Sequence, residues 1–260
     1  MASRLFGIKK SKALALAKKI IKDKEAREKA ILYASTAVNY FFVLFQLYGG
    51  IRYKSVWFTA LGVYYAVLTS VNLYLGLSHK KSGREAWGVF RISGWILTIA
   101  NLAIAIIISI MIAAPGIAMH NYSQMMAMGV TVWTFYLFIS AIVGIVRQWK
   151  KKNVVVMAEN IVKLIGATVS VLMLQTTMIA SYGVQEIEGA RKALEQISGM
   201  TGTSVEIEKA VDELIRIFIA SNRVTGVLAI IAVMMITIYM IVKGGREHKR
   251  KKIVYNIRKQ

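Results

Sequence analysis

The chain has 260 residues, 56% of them hydrophobic, and a net charge of +21. Soluble domains contain roughly 45–50% apolar residues, so this composition is too apolar for one. The 34 lysines and arginines are concentrated at the two ends of the chain and in short stretches between long apolar runs, which excludes the evenly basic face of a soluble nucleic-acid-binding protein. The sequence has no cysteine, which excludes disulfides and thiolate catalysis. Composition therefore predicts an all-α integral membrane protein.

Residues 1–30 form a basic segment in which apolar side chains recur at helical spacing on one face. This pattern is typical of an interfacial helix on an anionic leaflet. We expect membrane lipids to be its partner, through Lys9, Lys10, Lys12, Lys18 and Lys19. An ordinary solvated helix is the alternative interpretation of the same charges. Neither interpretation implies a nucleic-acid partner.

Six apolar runs follow, each about as long as the roughly 20 residues that cross a bilayer. The first five lie within residues 31–182 and the sixth within 223–243, ahead of a basic tail at 244–260. The predicted transmembrane helices are Ile31–Gly49, Val56–Leu77, Ile92–Ala114, Met125–Val146, Val156–Tyr182 and Val224–Val242.

The distribution of basic residues predicts the orientation of the helices, because cytoplasmic loops retain lysine and arginine. The four segments on the side of the two termini carry 27 of the 34, and the opposite side carries seven. The sequence therefore predicts a bundle of six transmembrane helices with both termini in the cytoplasm.

The loop at 183–222, on the predicted extracytoplasmic side, contains two amphipathic stretches separated by the turn Gly199–Gly202. Thr203 and Glu206 match a capping box, which predicts that a helix begins there. We expect a helical hairpin between helices 5 and 6. A lid, a docking surface and a simple extension of the two flanking helices are all consistent with this pattern.

An internal repeat of three helical hairpins is a further hypothesis. The three helices that run inward each begin with a Gly-Val pair, at residues 62–63, 129–130 and 226–227. Matches of two residues also arise by chance.

Amide side chains within the apolar runs are the candidate functional residues, because a buried amide needs a partner or a polar cavity. The candidates for a substrate pathway are Asn39, Asn72, Asn101, Gln46 and Gln175. Hydrogen-bonding between helices is the alternative role. At the predicted inner side, Arg91, Glu159 and Lys163 form a candidate ion-pair group, with a structural role or a gating role.

Motifs for catalysis are missing from the sequence. It has no Walker loop, dinucleotide fingerprint, HExxH or nucleophile elbow, and His79, His120 and His248 lie too far apart along the predicted topology to share one metal. We therefore predict neither a cofactor nor a metal site, and no catalytic residue is assigned.

Two stretches, SVWFTALGVYYAVLTSVNLYL at 55–75 and NRVTGVLAIIAVMMITIYMI at 222–241, resemble segments of small six-helix membrane proteins of Gram-positive anaerobic bacteria. Such proteins often carry a basic residue where this chain has Asn72. The resemblance implies a bacterial plasma membrane and no particular activity.

These observations favour a transport-related membrane protein: a small permease, a lipid translocator or a transporter subunit. A non-catalytic scaffold that docks partners, or a second copy of itself, through the outer hairpin and the basic ends is the alternative. An intramembrane lipid-modifying enzyme is a third class, without a supporting motif. A polar cavity joining Asn39, Asn72 and Asn101 would favour transport.

Overall fold

The structure is a computed structural model that describes residues 24–113, 124–148, 153–183, 189, 192 and 204–257. Over these residues it is all-α. The helices are α1 (Lys24–Arg52), α2 (Val56–Leu77), α3 (Gly83–Ala113), α4 (Gln124–Gln148), α5 (Val154–Met178), which continues into a π-helical turn (Ile179–Gly183), and α6 (Ser204–Ile257). Each helix contains a stretch long and apolar enough to cross a membrane. The prediction of six such helices is confirmed.

Two predicted features fall largely outside the described residues. The five lysines of the interfacial helix lie within 1–23, and of the first arm of the predicted hairpin only Gly183, Gly189 and Lys192 are described. The orientation of the bundle relative to the two faces of a membrane stays a prediction.

Several helices are longer than their predicted apolar runs, among them α3 and α6. Helix α3 begins at Gly83, nine residues before the predicted Ile92, and an acidic residue in its first turn, Glu85, suits the positive end of the helix dipole. Helix α6 is continuous across residues 222 and 243, where the sequence analysis places segment boundaries. At 54 residues it is about 80 Å long at 1.5 Å per residue.

The bundle buries polar side chains and exposes apolar ones. Gln46 and Asn101 are fully buried, whereas Phe41 is 74% exposed and Val132 is 71% exposed. Soluble proteins rarely expose contiguous apolar surface on this scale, but a bundle in lipid does so throughout. This distribution is compatible with an integral membrane protein.

Helices α2 and α5 occupy the centre of the bundle and pack against each other, with α1 along α2 and α4 along α5. Both central helices begin at a side-chain cap. The Ser55 hydroxyl accepts a hydrogen bond from the backbone N–H of Phe58, and the Asn153 side chain accepts one from Val155.

Helix α3 packs along α6, through glycines that let the two backbones approach closely. A Cβ added to Gly94 would lie 3.0 Å from Met240 Cβ, and one added to Gly244 would lie 3.2 Å from Arg91 Cα. The hairpin-repeat hypothesis requires α3 to pair with α4. The glycine contacts favour α6 as its main neighbour instead.

Candidate functional site

A small polar cavity lies between α1, α2, α4 and α5. Its volume of about 30 Å³ is enough for roughly two water molecules. Polar and aromatic side chains from all four helices contribute to its wall, together with three aliphatic side chains and a glycine. The lining residues are Ser35, Asn39, Tyr65, Leu68, Thr69, Asn72, Trp133, Tyr136, Leu137, Ser140, Val162, Lys163 and Gly166.

Three of the lining residues carry a buried polar atom without a hydrogen-bond partner. These atoms are the side-chain oxygens of Asn39 and Asn72 and the indole nitrogen of Trp133. Leaving such a group unpaired costs about 1–3 kcal/mol. The wall of the cavity therefore offers two acceptors and one donor to a small molecule that can both donate and accept hydrogen bonds.

An ion network holds the end of α2 against the start of α5. Glu159 lies at the centre of this network: one of its oxygens is 2.9 Å from Lys163 Nζ and the other is 2.9 Å from His79 Nε2. The Asn153 side chain also donates to the backbone carbonyl of His79, at 3.5 Å. Because Lys163 also lines the cavity, this network is continuous with the cavity wall.

The structure separates Arg91 from the other members of the candidate ion-pair group. Arg91 lies on α3 beside Gly244 of α6, and among the described residues it forms no ion pair. Glu159 also has a partner that the sequence did not indicate. It is His79, which lies two residues after the end of α2.

The five candidate pathway residues lie in different parts of the bundle. Only Asn39 and Asn72 meet at the cavity. Asn101 lies between α2, α3 and α6, where Tyr64 donates a 2.7 Å hydrogen bond to its side-chain oxygen and its amide nitrogen lies 3.5 Å from the Val233 carbonyl.

The two glutamines also lie apart from the cavity. The Gln46 amide nitrogen donates to the sulfur of Met173 at 3.1 Å, which joins α1 to α5. The Gln175 amide donates to Ser221 at 3.0 Å, which joins α5 to α6. Interhelical hydrogen bonding therefore accounts for the positions of Asn101 and Gln175.

Sequence reasoning did not identify most of the cavity wall. A usable signal exists: polar side chains three or four positions apart lie on one helix face. Within single helices the relevant pairs are Ser35 with Asn39, Thr69 with Asn72, and Tyr136 with Ser140.

Comparisons with family models, curated proteins and solved structures found no match for this chain. Within the described ranges, no three histidines or acidic residues are close enough to hold a metal ion. The chemistry available at the site is therefore hydrogen bonding from Asn39, Asn72 and Trp133, beside a charged network centred on Glu159.

Proposed function

We propose that this chain is a transport-related membrane protein of the small-permease class. The observation that supports the proposal is the cavity whose wall contains the unpartnered oxygens of Asn39 and Asn72. Polar groups without partners are costly in an apolar bundle, and in membrane proteins they commonly mark substrate pathways. A role in packing alone would be served better by amides paired as Asn101 is.

The experiment is flux through the purified protein reconstituted in lipid vesicles. Stopped-flow light scattering would follow the entry of urea, glycerol, ammonium and acetate, and a fluorescent-lipid assay would follow lipid translocation. We expect faster entry of at least one of these solutes than in protein-free vesicles. The rate should fall to background in Asn39→Leu and Asn72→Leu, which change the cavity wall.

The matched control is Asn101→Leu, which makes the same substitution at a buried amide outside the cavity. A folded Asn101→Leu variant should retain the flux. If the three variants behave alike, or if no solute or lipid crosses faster than through plain vesicles, the transport proposal is wrong.

A scaffold is the second candidate, and the length of α6 favours it. Its apolar span covers Ala220–Ile253, so the helix continues beyond the span for 16 residues at its start, 204–219. Lys249, Arg250, Lys251 and Lys252 are exposed near its other end. A scaffold would need this helix and not the cavity, so shortening α6 at 204–216 should abolish its function while the cavity variants leave that function unchanged.

A further inference from the structure

Each of the first three helices touches the helix three places later in the chain, and α1 meets α4 through side chains. The rings of Phe42 and Trp133 stack with centroids 3.9 Å apart, and Gly129 lies against the ring of Phe45. Residues later in α1 contact residues earlier in α4. These two helices are therefore antiparallel.

The pairs α2–α5 and α3–α6 are antiparallel in the same way. Tyr65 of α2 donates to the Gly166 carbonyl at 3.2 Å, and His79, two residues after the end of α2, contacts Glu159. The α3–α6 contacts run from Gly88 beside His248, through Gly94 beside Met240, to Asn101 beside Val233. All three counterpart pairs are therefore antiparallel, which three alternating spans per half require and which halves of opposite orientation also have.

A constant sequence spacing relates the two halves over their first two helices. The caps of α2 and α5, Ser55 and Asn153, are 98 positions apart (153 minus 55). The cavity is lined by four pairs of residues with this same spacing. They are Ser35 and Trp133, Asn39 and Leu137, Tyr65 and Lys163, and Leu68 and Gly166.

One pair of residues separated by 98 positions is in direct contact, and both residues lie in the cavity wall. Leu68 and Gly166 are counterparts by the spacing, and they are also in contact, because a Cβ on Gly166 would lie 3.5 Å from Leu68 Cδ1. In a two-fold arrangement, a residue lies beside its own counterpart only near the axis. This contact therefore marks the axis that relates the two halves. The cavity therefore lies on the axis of the bundle.

We propose that α1–α3 and α4–α6 are two halves of opposite orientation, and that the cavity on their shared axis is a binding site opened to one end of the bundle at a time by rocking of the halves. This inference rests on the proposed transport function and specifies where the solute binds. Binding at the interface of inverted halves, with alternating exposure, is the physical logic of many transporters.

The wall selects the chemical class of the solute. Asn39 and Asn72 offer acceptor oxygens and Trp133 offers an N–H, which together match a small uncharged molecule with both donors and acceptors, such as a primary amide. A cation would meet the ammonium group of Lys163, which also lines the cavity. Glu159 already pairs that ammonium group at 2.9 Å, so the wall has no unpaired positive charge for an anion.

The two ends of the α2–α5 contact are closed by different chemistry. At one end, the network of His79 and Glu159 joins the helices. The spacing of 98 maps Glu159 to Leu61 (159 minus 98) and His79 to Thr177 (79 plus 98), at the opposite end. Leu61 and Thr177 are both fully buried. The ion network at one end therefore has no charged counterpart at the other, so each end can be changed separately.

The test uses the full chain, which has no native cysteine. A single reporter thiol is placed in the cavity wall as Thr69→Cys, and membrane-impermeant thiol reagents are applied to intact cells and to inverted vesicles. In this background, Glu159→Gln should raise labelling from the His79 end several-fold and lower it from the opposite end. Leu61→Ala should do the reverse, with Thr177→Ala as a second variant at the same end if Leu61→Ala does not fold.

The outcomes separate this inference from the transport proposal. Labelling that moves in the same direction at both ends, or that never occurs from either end, would overturn the inverted-halves proposal even if flux is present. Opposed labelling without flux of any solute would sustain the proposal of alternating halves and contradict transport. Formamide or urea, but not methylammonium, should slow labelling of the reporter, and protection by methylammonium alone would overturn the assigned solute class.

Discussion

Asn101 and Asn39 are both amides in the middle of the bundle, but their surroundings differ. Asn101 lies where α3 meets α6, accepts a 2.7 Å hydrogen bond from Tyr64, and is fully buried. The side-chain oxygen of Asn39 is equally shielded and has no partner. The same residue type thus serves packing in one region and borders an open volume in the other.

The difference follows from the side chains that separate the helices. Along α3 and α6, glycines of one helix lie against larger side chains of the other, so the two backbones approach closely. Around the cavity the rings of Tyr65, Trp133 and Tyr136 line the space between the helices. The cavity thus lies where rings meet between helices, and the α3–α6 contact has glycines instead.

The largest of the predicted effects is expected at two adjacent glycines of α6, only one of which faces α3. Gly244→Leu should lower the free energy of unfolding by about 2 kcal/mol or more, because the added side chain meets Arg91 and Phe90 within 3.2 Å. Gly245→Leu should be neutral or mildly stabilising, because nothing lies within 4 Å of that position and leucine is the better helix former. Unfolding of the purified protein in mixed micelles by SDS titration measures both. Equal losses would contradict the close α3–α6 contact.

The next effect concerns the ion network beside the cavity. Glu159→Gln removes the charge that pairs Lys163 and His79, and should lower the free energy of unfolding by about 1–2 kcal/mol, since the site is only partly shielded from solvent. The matched control is Glu247→Gln, whose partner Arg250 is 3.8 Å away and 77% exposed. That control should change stability by less than about 0.5 kcal/mol. A larger loss in the control than in Glu159→Gln would show that the network has no structural role.

The fold was predictable from the sequence because six long apolar runs have few alternatives once a bilayer is the solvent. The pairing of the helices was not. Which face of α3 meets α6 depends on Gly88, Gly94 and Gly244, and small residues are common throughout the chain.

The cavity and the relation between the halves were harder still to predict. The wall joins residues up to 131 positions apart, from Ser35 to Gly166 (166 minus 35), and only three-dimensional packing brings them together. The repeat is hidden because α2 and α5 share few residues at the spacing of 98. Their identical positions are Val56 and Val154, Ala60 and Ala158, and Val71 and Val169.

The well-paired amide gives a smaller effect. Asn101→Leu leaves the buried Tyr64 hydroxyl without its acceptor, and Tyr64→Phe leaves the Asn101 oxygen without its donor. Each should cost about 1 kcal/mol, the scale of polar pairs between membrane helices. Tyr40→Phe, at the exposed pair with Ser70, is the control and should cost less than about 0.5 kcal/mol. A double-mutant cycle on Asn101 and Tyr64 that shows additive effects would contradict the pairing.

The smallest effect on stability is expected at Asn39. Its sign decides whether this amide lines a substrate pathway or forms hydrogen bonds between helices. Asn39→Leu replaces an unpartnered acceptor with an apolar group of similar size, so the free energy of unfolding should stay unchanged or rise by up to about 1 kcal/mol. Asn101→Leu should lower it. SDS titration of both variants beside the wild type measures the difference. If Asn39→Leu destabilises the bundle as much as Asn101→Leu does, Asn39 contributes to packing, and the cavity loses the feature that distinguishes it from an ordinary packing defect.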